Sequence, residues 1–302
     1  MTPDVHPFFD ENTNTVSYVV SDPVARVCAI IDPVLDFEPA AARTSTRSAD
    51  AIIDYVRERG LRCDWVLDTH VHADHLSAAP YIQKMLGGQT GIGSNITITQ
   101  DVFGTIFNAE PEFARDGSQF DCLFDDGEEF AVGGINARAI HTPGHTPACM
   151  TYMIGDAAFV GDTLFMPDFG TARADFPGGD ARMLYRSIQK IFALPNETRL
   201  FLCHDYLPEN RSEYRWESTV GEQRRTNIHV NDTVSEDAFV TMREERDEQL
   251  GAPKLILPSI QVNIRAGHMP PPEDNGTVYL KLPVNIFGEP KTLPDDAGPR
   301  TQ

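Results

Sequence analysis

A seven-residue stretch, "THVHADH", places three histidines and one aspartate close together at residues 69–75. Imidazole and carboxylate groups are ligands that zinc, iron and manganese accept in proteins. Side chains two apart in an extended stretch lie on the same side, so His70 and His72 can converge on one ion. Asp74 and His75 can then turn toward a second ion. The spacing therefore predicts a metal centre and leaves open whether it holds one ion or two.

Three further candidate ligands follow this cluster, each beside a strand-like run: His145 in "HTPGHT", Asp162 in "VGDTLF" and His204 in "LFLCHDY". Taken singly, each has an ordinary explanation. His145 fits a plain loop, Asp162 fits a turn or a helix N-cap, and His204 fits the end of a strand. Their ordered recurrence after the cluster favours a shared role in metal binding.

The elements that must position these ligands alternate between strands and helices. A β-hairpin is predicted for "TVSYVV" and "RVCAIID", and a helix with Ser48 as its N-cap for "SADAIIDYVRERG". The buried strand "CDWVLDTH" leads into the cluster, and "LSAAPYIQKMLGG" predicts a helix after it. Short strands follow, then the helix "DARMLYRSIQKIFAL" and one more strand before His204. This order predicts an α/β fold, an αββα sandwich of two mixed sheets flanked by helices.

No strong linker interrupts the chain, so we expect one domain over residues 1–302. The segment from about 208 to 288 includes the helical stretch "SEDAFVTMREERDEQLG" and is expected to complete the substrate pocket. Residues 289–302 have the composition of a flexible tail.

The formal charge of −20, from 25 basic and 45 acidic residues, repels phosphate backbones and anionic membranes. We therefore expect neither a nucleic-acid nor a membrane partner. No apolar run approaches the roughly 20 residues of a membrane-spanning helix, and "MTPDVHPFFD" lacks the pattern of a secretory signal. Five scattered cysteines without a CxxC pair indicate free thiols. These features predict a soluble, cytoplasmic protein.

Four motifs in this order, "THVHADH", "HTPGHT", "VGDTLF" and "CHDY", resemble the metallo-β-lactamase fold superfamily over about residues 14–206. The resemblance implies an αββα sandwich with its metal site at one edge, in agreement with the order of elements. It does not select a reaction. Members hydrolyse β-lactams, thioesters, lactones, phosphodiesters and nucleic acids, and others use iron for redox chemistry.

The sequence around the last two motifs resembles that of the persulfide dioxygenases (sulfur dioxygenases) and their bacterial β-lactamase-like relatives. "ARADF" follows the motif with Asp162, and "CHDY" precedes the run "STVGEQR". The resemblance implies oxidation of glutathione persulfide by O2 and water to sulfite and glutathione, and homodimers are common in the family. It also implies one Fe(II) per chain, held by His70, His145 and Asp162. Such a set of two histidines and one carboxylate leaves coordination positions open.

The same resemblance implies roles for further residues. Four of them orient the ligands and iron-bound water rather than bind the ion: His72, Asp74, His75 and His204. Arg173 is expected to pair with a glutathione carboxylate through its guanidinium fork. Tyr206 is expected to place its hydroxyl at the substrate or the iron-bound species. His229 stands where the family often carries an arginine, and it is a third candidate for substrate binding.

The ligand set leaves a second chemistry open, because every residue of a two-metal site is present. In a dinuclear zinc hydrolase of the glyoxalase II type, two zinc ions would generate hydroxide and polarise a thioester carbonyl. The absence of a convincing match to that enzyme's glutathione-binding helices favours the dioxygenase. The charge disfavours the nuclease branch, and the complete ligand set disfavours a binder that has lost its chemistry.

Overall fold

The computed structural model describes residues 2–209 and 211–286. Within them the strands are β1 (Asp4–Asp10), β2 (Thr15–Asp22), β3 (Val27–Ile31), β4 (Val34–Glu38), β5 (Arg43–Ser45), β6 (Arg62–Leu67), β7 (Leu76–Ser77), β8 (Gln89–Gly93), β9 (Cys122–Phe124), β10 (Glu129–Val132), β11 (Ile135–His141), β12 (Met150–Ile154), β13 (Ala157–Phe159), β14 (Arg199–Phe201) and β15 (Glu217–Thr219). The α-helices are α1 (Arg47–Glu58), α2 (Ala79–Leu86), α3 (Ile96–Ile106), α4 (Ala181–Phe192), α5 (Val220–Thr226), α6 (Glu236–Asp247) and α7 (Ile256–Asn263).

Two large mixed sheets organise these elements. The first has the order β1-β2-β3-β6-β8-β9, and the second has the order β10-β11-β12-β13-β14-β15. The pairs β3–β6, β6–β8 and β8–β9 are parallel, whereas β1, β2 and β3 are joined antiparallel. A small sheet, β5-β4-β7, attaches the hairpin of β4 and β5 to the strand that follows the histidine cluster.

The two large sheets enclose one apolar core, and helices cover their outer faces. Along β3, Ala29 and Ile31 join this central core, whereas Cys28 and Ile30 join a cluster with α1 and α2. This alternation follows from the two-residue period of a strand that is buried on both faces. On the other side, Leu200 belongs to a cluster with α4 and α6. The predicted αββα sandwich is confirmed.

Some elements differ from their predictions. The hairpin of β2 and β3 and the helix α1 are confirmed, but Thr46 rather than Ser48 occupies the N-cap position of α1. Ser48 lies inside the helix, where its hydroxyl and backbone N–H both donate to the carboxylate of Asp36. Strand β1 and helix α7 were not predicted.

The candidate ligands all follow strands at one edge of the sandwich. The cluster lies between β6 and β7, His145 follows β11, Asp162 follows β13, and His204 follows β14. A β-bridge between Thr15 and His204 joins the two large sheets at this edge. Among the described residues, no helix has both the length and the apolar character that a membrane span requires. The predicted tail at 289–302 lies outside the described residues.

Candidate metal centre and active site

The three predicted iron ligands lie together at this edge. The Nε2 atoms of His70 and His145 lie 3.8 Å and 3.5 Å from Oδ2 of Asp162. Donor atoms of these three residues lie within 4.8 Å of one another, which is close enough for a single ion to contact all of them.

The other four candidate ligands lie beside this triad. Donor atoms of His72, Asp74 and His75 form a second group within 4.8 Å of one another. His204 joins the two groups, since its Nε2 atom lies 3.3 Å from Oδ1 of Asp162 and 3.5 Å from Oδ2 of Asp74. The structure therefore brings together all seven residues of the predicted set.

Several of these polar atoms are buried without a hydrogen-bond partner among the described residues: Nε2 of His70, Nδ1 of His72, Nε2 of His75, Oδ1 of Asp162 and Nε2 of His204. Leaving one such atom unpaired typically costs ~1–3 kcal/mol. A bound cation would satisfy them together. The residues therefore fit a metal, and donors are present for one ion or for two.

Backbone carbonyls fix the tautomer of two of the histidines. Nδ1 of His145 lies 2.8 Å from the carbonyl oxygen of Arg173, and Nδ1 of His204 lies 3.1 Å from that of Asn14. A carbonyl oxygen only accepts, so both rings carry their proton on Nδ1. The lone pair on Nε2 is therefore left free for a metal.

A buried aspartate, Asp32, orients the first two histidines. Nε2 of His72 donates to its Oδ1 at 2.9 Å. The hydroxyl of Thr69 donates to Oδ2 at 2.9 Å, which leaves its oxygen to accept from Nδ1 of His70 at 3.0 Å. The backbone N–H of Thr69 also donates a hydrogen bond to Oδ1 of Asp32, at 2.7 Å. Asp32 thus fixes both rings, and sequence reasoning missed it.

Burial keeps the two leading histidines neutral. Burial first, and then the neighbouring ring of His72, lowers the pKa of His70 well below its ordinary value. Burial and the charge of His75 do the same to the pKa of His72. Neutral imidazole is the form that binds metal. Burial likewise raises the pKa of Asp32, while His70 and the Thr69 hydrogen bonds oppose that rise.

Gly161 allows Asp162 to approach the cluster. Its φ of +50° is favourable for glycine, and a Cβ at this position would lie 2.5 Å from the hydroxyl oxygen of Thr69. A larger residue would therefore push β13 away from the loop that carries His70.

Two cavities open beside the centre. A smaller one of about 270 Å³ is lined by His145 and Asp162, together with the segments that carry Arg173 and Arg246. A larger one of about 750 Å³ lies along the β4–β5 hairpin. Both are lined by Asp74, Tyr206 and Pro253. A substrate held in either cavity can therefore reach the ligand cluster.

Tyr206 forms the wall between the two cavities. Its ring stacks on that of His204 and lies 5.0 Å from the ring of Phe169, centroid to centroid. Although 40% of the residue is exposed, desolvation of the hydroxyl, followed by the charges of Asp162 and Asp74, raises the pKa well above its ordinary value. The phenol therefore stays protonated and can donate a hydrogen bond into the site.

The guanidinium fork of Arg173 already holds a carboxylate. Its Nε and Nη2 atoms donate to the two oxygens of Asp175 at 2.6 Å and 2.7 Å, and Nη1 donates to the carbonyl of Gly251. The carboxylate predicted to come from the substrate is thus replaced by one of the chain's own. Arg173 lines the smaller cavity and braces its wall.

His229, predicted as a substrate contact, lies behind the wall of the smaller cavity. Its Nδ1 accepts from the backbone N–H of Thr171 at 3.0 Å. Gly170 makes this close packing possible, since a Cβ there would lie 2.1 Å from that nitrogen. The side chain is buried and is not among the residues that line either cavity. In this position, His229 supports the segment that leads to Arg173.

The C-terminal segment reaches the metal loop through Asn263 at the end of α7. Its amide nitrogen donates to the carbonyls of His72 and His75, each at 2.8 Å. Its amide oxygen accepts from the backbone N–H of Ser77, also at 2.8 Å. These three bonds span the second half of the histidine cluster, so Asn263 sets the path of the loop that carries the ligands.

We expect Asn263→Ala to weaken metal binding by about tenfold to a hundredfold, the usual effect of losing a group that supports metal ligands. The substitution leaves two buried carbonyls and one N–H without their partner. Competition with a chelator measures the affinity, and Gln261→Ala on the same helix is the control. If the Asn263 variant bound metal as tightly as the control, the contacts of Asn263 with the metal loop would not contribute to metal binding.

Comparison with known proteins agrees with this architecture. The family model described as "Metallo-beta-lactamase superfamily" matches residues 12–204. A probable metallo-hydrolase of Burkholderia pseudomallei is 56% identical, over 94% of this chain and 99% of that protein. A Beta-lactamase hydrolase-like protein of Agrobacterium fabrum is 54% identical over 94% of this chain, which spans only 65% of that protein.

Two further relatives carry different functional names. Glyoxylase B2 of Dictyostelium discoideum is 48% identical over 94% of this chain and 97% of its own length. The mitochondrial persulfide dioxygenase ETHE1 of Bos taurus is 30% identical over 87% of this chain and 89% of that protein. The crystal structure of ETHE1 from Myxococcus xanthus superposes with a TM-score of 0.70 at 28% identity, over 88% of this chain and all of that one. Sequence, fold and ligand geometry agree: this chain is an enzyme of the metallo-beta-lactamase superfamily.

Proposed function

We propose that this enzyme is an Fe(II)-dependent persulfide dioxygenase that oxidises glutathione persulfide with O2 and water to sulfite and glutathione. The observation that carries the proposal is the convergence of His70, His145 and Asp162 beside two open cavities. The persulfide dioxygenase ETHE1 of Bos taurus, 30% identical, supports it. The partners are glutathione persulfide and O2, and the homodimer and the cytoplasmic location stay predictions.

One Fe(II) in the triad of two histidines and one carboxylate would supply redox chemistry with open coordination positions. The residues of the chain would orient the ligands, contact the substrate and limit the access of water. The carbonyl of Arg173 keeps His145 in its binding tautomer. The protonated phenol of Tyr206 donates a hydrogen bond to the substrate at the junction of the cavities. Phe165 and Phe176 line the smaller cavity and limit the water beside the triad.

A thioester hydrolase with two zinc ions is the second candidate, and one observation favours it. The unpaired atoms include Nδ1 of His72, Nε2 of His75 and Nε2 of His204, which amount to a second set of donors. Glyoxylase B2 of Dictyostelium discoideum, 48% identical, also supports this chemistry. Two bound zinc ions would supply hydroxide and polarise a thioester carbonyl.

Metal analysis of freshly purified protein, with both reactions assayed on the same sample, separates the two candidates. The proposal expects about one iron per chain and no thioester hydrolysis above background. About two zinc ions per chain, together with hydrolysis of S-lactoylglutathione, would overturn it and establish the alternative.

Arg173→Ala tests the bracing role of this arginine. We expect the KM for glutathione persulfide to rise about tenfold while iron content stays unchanged, because alanine keeps the backbone carbonyl that orients His145. The loss of the side chain releases Asp175 and loosens one wall of the smaller cavity. Steady-state kinetics and metal analysis measure the two effects, and Arg182→Ala on α4 is the control. Loss of iron in the Arg173 variant would show that the side chain itself holds the metal site together.

A further inference from the structure

A single peptide group links Asp247, the last residue of α6, to the metal-ligand candidate His145. The carbonyl oxygen of Arg173 accepts from Nδ1 of His145 at 2.8 Å. The N–H of Ala174 belongs to the same peptide group, and it donates to Oδ2 of Asp247, also at 2.8 Å. Because the N–H and the carbonyl of a trans peptide point in opposite directions, the carboxylate and the imidazole lie on opposite sides of this group.

Asp247 forms a buried ion pair with Arg243, one helical turn earlier on α6. Its Oδ1 atom accepts from Nε and Nη2 of Arg243 at 3.0 Å and 2.7 Å, which leaves Oδ2 for the peptide N–H. Only 5% of Asp247 and 1% of Arg243 are exposed, so water and salt screen these charges little. The charge of the carboxylate therefore acts on its hydrogen-bond partners at close to full strength.

The same ion pair holds the segment from Thr171 to Ala174 at both ends. Nη1 of Arg243 donates to the carbonyl oxygen of Thr171 at 3.1 Å, while Asp247 receives the N–H of Ala174. The carbonyl that orients His145 lies between these two contacts. A buried ion pair is often no more stabilising than apolar side chains of similar volume, so stability alone does not account for this one.

His70, the other histidine of the triad, has a buried carboxylate at the same remove. Its Nδ1 atom donates to the hydroxyl of Thr69, and that hydroxyl donates to Oδ2 of Asp32. One hydroxyl therefore stands beside His70 where one peptide group stands beside His145. Both histidines of the triad thus face a carboxylate through one intermediate group that is itself hydrogen-bonded.

A carboxylate behind a metal-bound histidine fixes the orientation of the ring and makes the metal-binding nitrogen a better donor. Hydrogen bonds in a chain polarise one another, and a buried site of low dielectric strengthens the effect. A peptide group whose N–H donates to a carboxylate has a more negative carbonyl oxygen. Such a carbonyl is a stronger acceptor for the Nδ1 proton of His145.

We propose that Asp247 is a positioning residue of the metal centre, which acts through the Arg173–Ala174 peptide group to strengthen the bond of His145 to the metal. Arg243 holds the carboxylate in place. The C-terminal segment thereby takes part in the metal centre, since α6 supplies both residues. The inference concerns one ligand of the triad, so it goes beyond the proposed reaction and holds for one iron or for two zinc ions.

Asp247→Asn, alone and combined with Arg243→Gln, tests the role of the charge. The two amides of the double variant offer uncharged donors and acceptors in place of the ion pair, and no buried charge of the pair is left without its partner. Chelator competition measures the affinity for the first zinc ion. We expect a loss of about tenfold in the double variant and at least as much in the single variant.

Glu110→Gln is the matched control. It leaves Arg265, which is also buried, without its carboxylate partner. Glu110 belongs neither to the ligand cluster nor to the lining of the two cavities. This variant should keep the zinc affinity of the wild type. A loss as large as that of the double variant would attribute the effect to general destabilisation and overturn the proposal.

Proton NMR of the zinc-loaded enzyme, which is diamagnetic, separates the charge from a displaced loop. In the double variant, the Nδ1 proton of His145 should resonate upfield of its wild-type position, because its hydrogen bond is weaker. The Nδ1 proton of His204, which faces the carbonyl of Asn14, should not move. Wild-type zinc affinity in the double variant would overturn the proposal, as would reduced affinity with the His145 proton unmoved. Neither measurement depends on oxygen uptake or thioester hydrolysis, so failure of the proposed function would leave this result standing.

Discussion

Asp162→Ala is expected to leave the enzyme without bound iron and without oxygen uptake. The carboxylate lies 3.5 Å from Nε2 of His145 and 3.3 Å from Nε2 of His204, so one substitution removes the acidic member of the triad and its contact with His204. Its Oδ1 atom has no hydrogen-bond partner among the described residues, and alanine offers no ligand in its place. Metal content should fall from about one ion per chain to below about 0.1.

The matched control for this experiment is Asp156→Ala. Asp156 precedes β13, whereas Asp162 follows it, and it makes an exposed ion pair with Arg199. This variant should keep its metal and its activity. An Asp162→Ala enzyme that retained full iron content would remove Asp162 from the ligand set and with it the proposed triad.

The second large effect is expected at Asp32, a residue that touches no substrate. Asp32→Ala leaves four buried donors without their acceptor, namely the N–H and the hydroxyl of Thr69, Nε2 of His72 and the thiol of Cys203. We expect about 3 kcal/mol of lost stability, because each unpaired group costs ~1–3 kcal/mol. We also expect about a hundredfold loss of metal affinity, because the rings of His70 and His72 lose the group that orients them.

Asp22 provides the control for Asp32, since it separates general destabilisation from the effect on the metal. It is equally buried, at 2% exposure, and accepts from the backbone N–H groups of Val24, Ala25 and Gly134. Asp22→Ala should lower the free energy of unfolding without changing metal affinity in the folded enzyme. Denaturant titration and chelator competition measure the two quantities. If both variants lost stability and neither lost affinity, Asp32 would be structural only.

The seven candidate ligands could be singled out from sequence because metal binding demands unusual residue types at close spacing. The αββα order could also be derived, since β-branched runs and helical periodicity recur along the chain. Asp32 was missed because a single aspartate before a proline at the end of β3 also fits an ordinary turn. Nothing local indicates that its oxygens reach Thr69 and His72, which lie 37 and 40 residues further on.

Asn263 and Arg173 show two other limits. Asn263 bonds backbone atoms of residues 191 and 188 positions away, and a backbone acceptor leaves no trace in the sequence. Arg173 lines the smaller cavity, but its partner was not foreseen. Asp175, two residues on, takes the fork that a substrate carboxylate was expected to take. Local competition for a charged group is decided by side-chain geometry that the sequence does not contain.

Oxygen uptake by the iron-loaded enzyme on addition of glutathione persulfide is the most direct test of the proposed function. The proposal predicts consumption of about one O2 for each persulfide, since oxidation of one terminal sulfur to sulfite uses one O2 and one water. An iron-loaded enzyme that consumes no oxygen with glutathione persulfide, under conditions in which it hydrolyses a glutathione thioester, would contradict the dioxygenase and leave the hydrolase in its place.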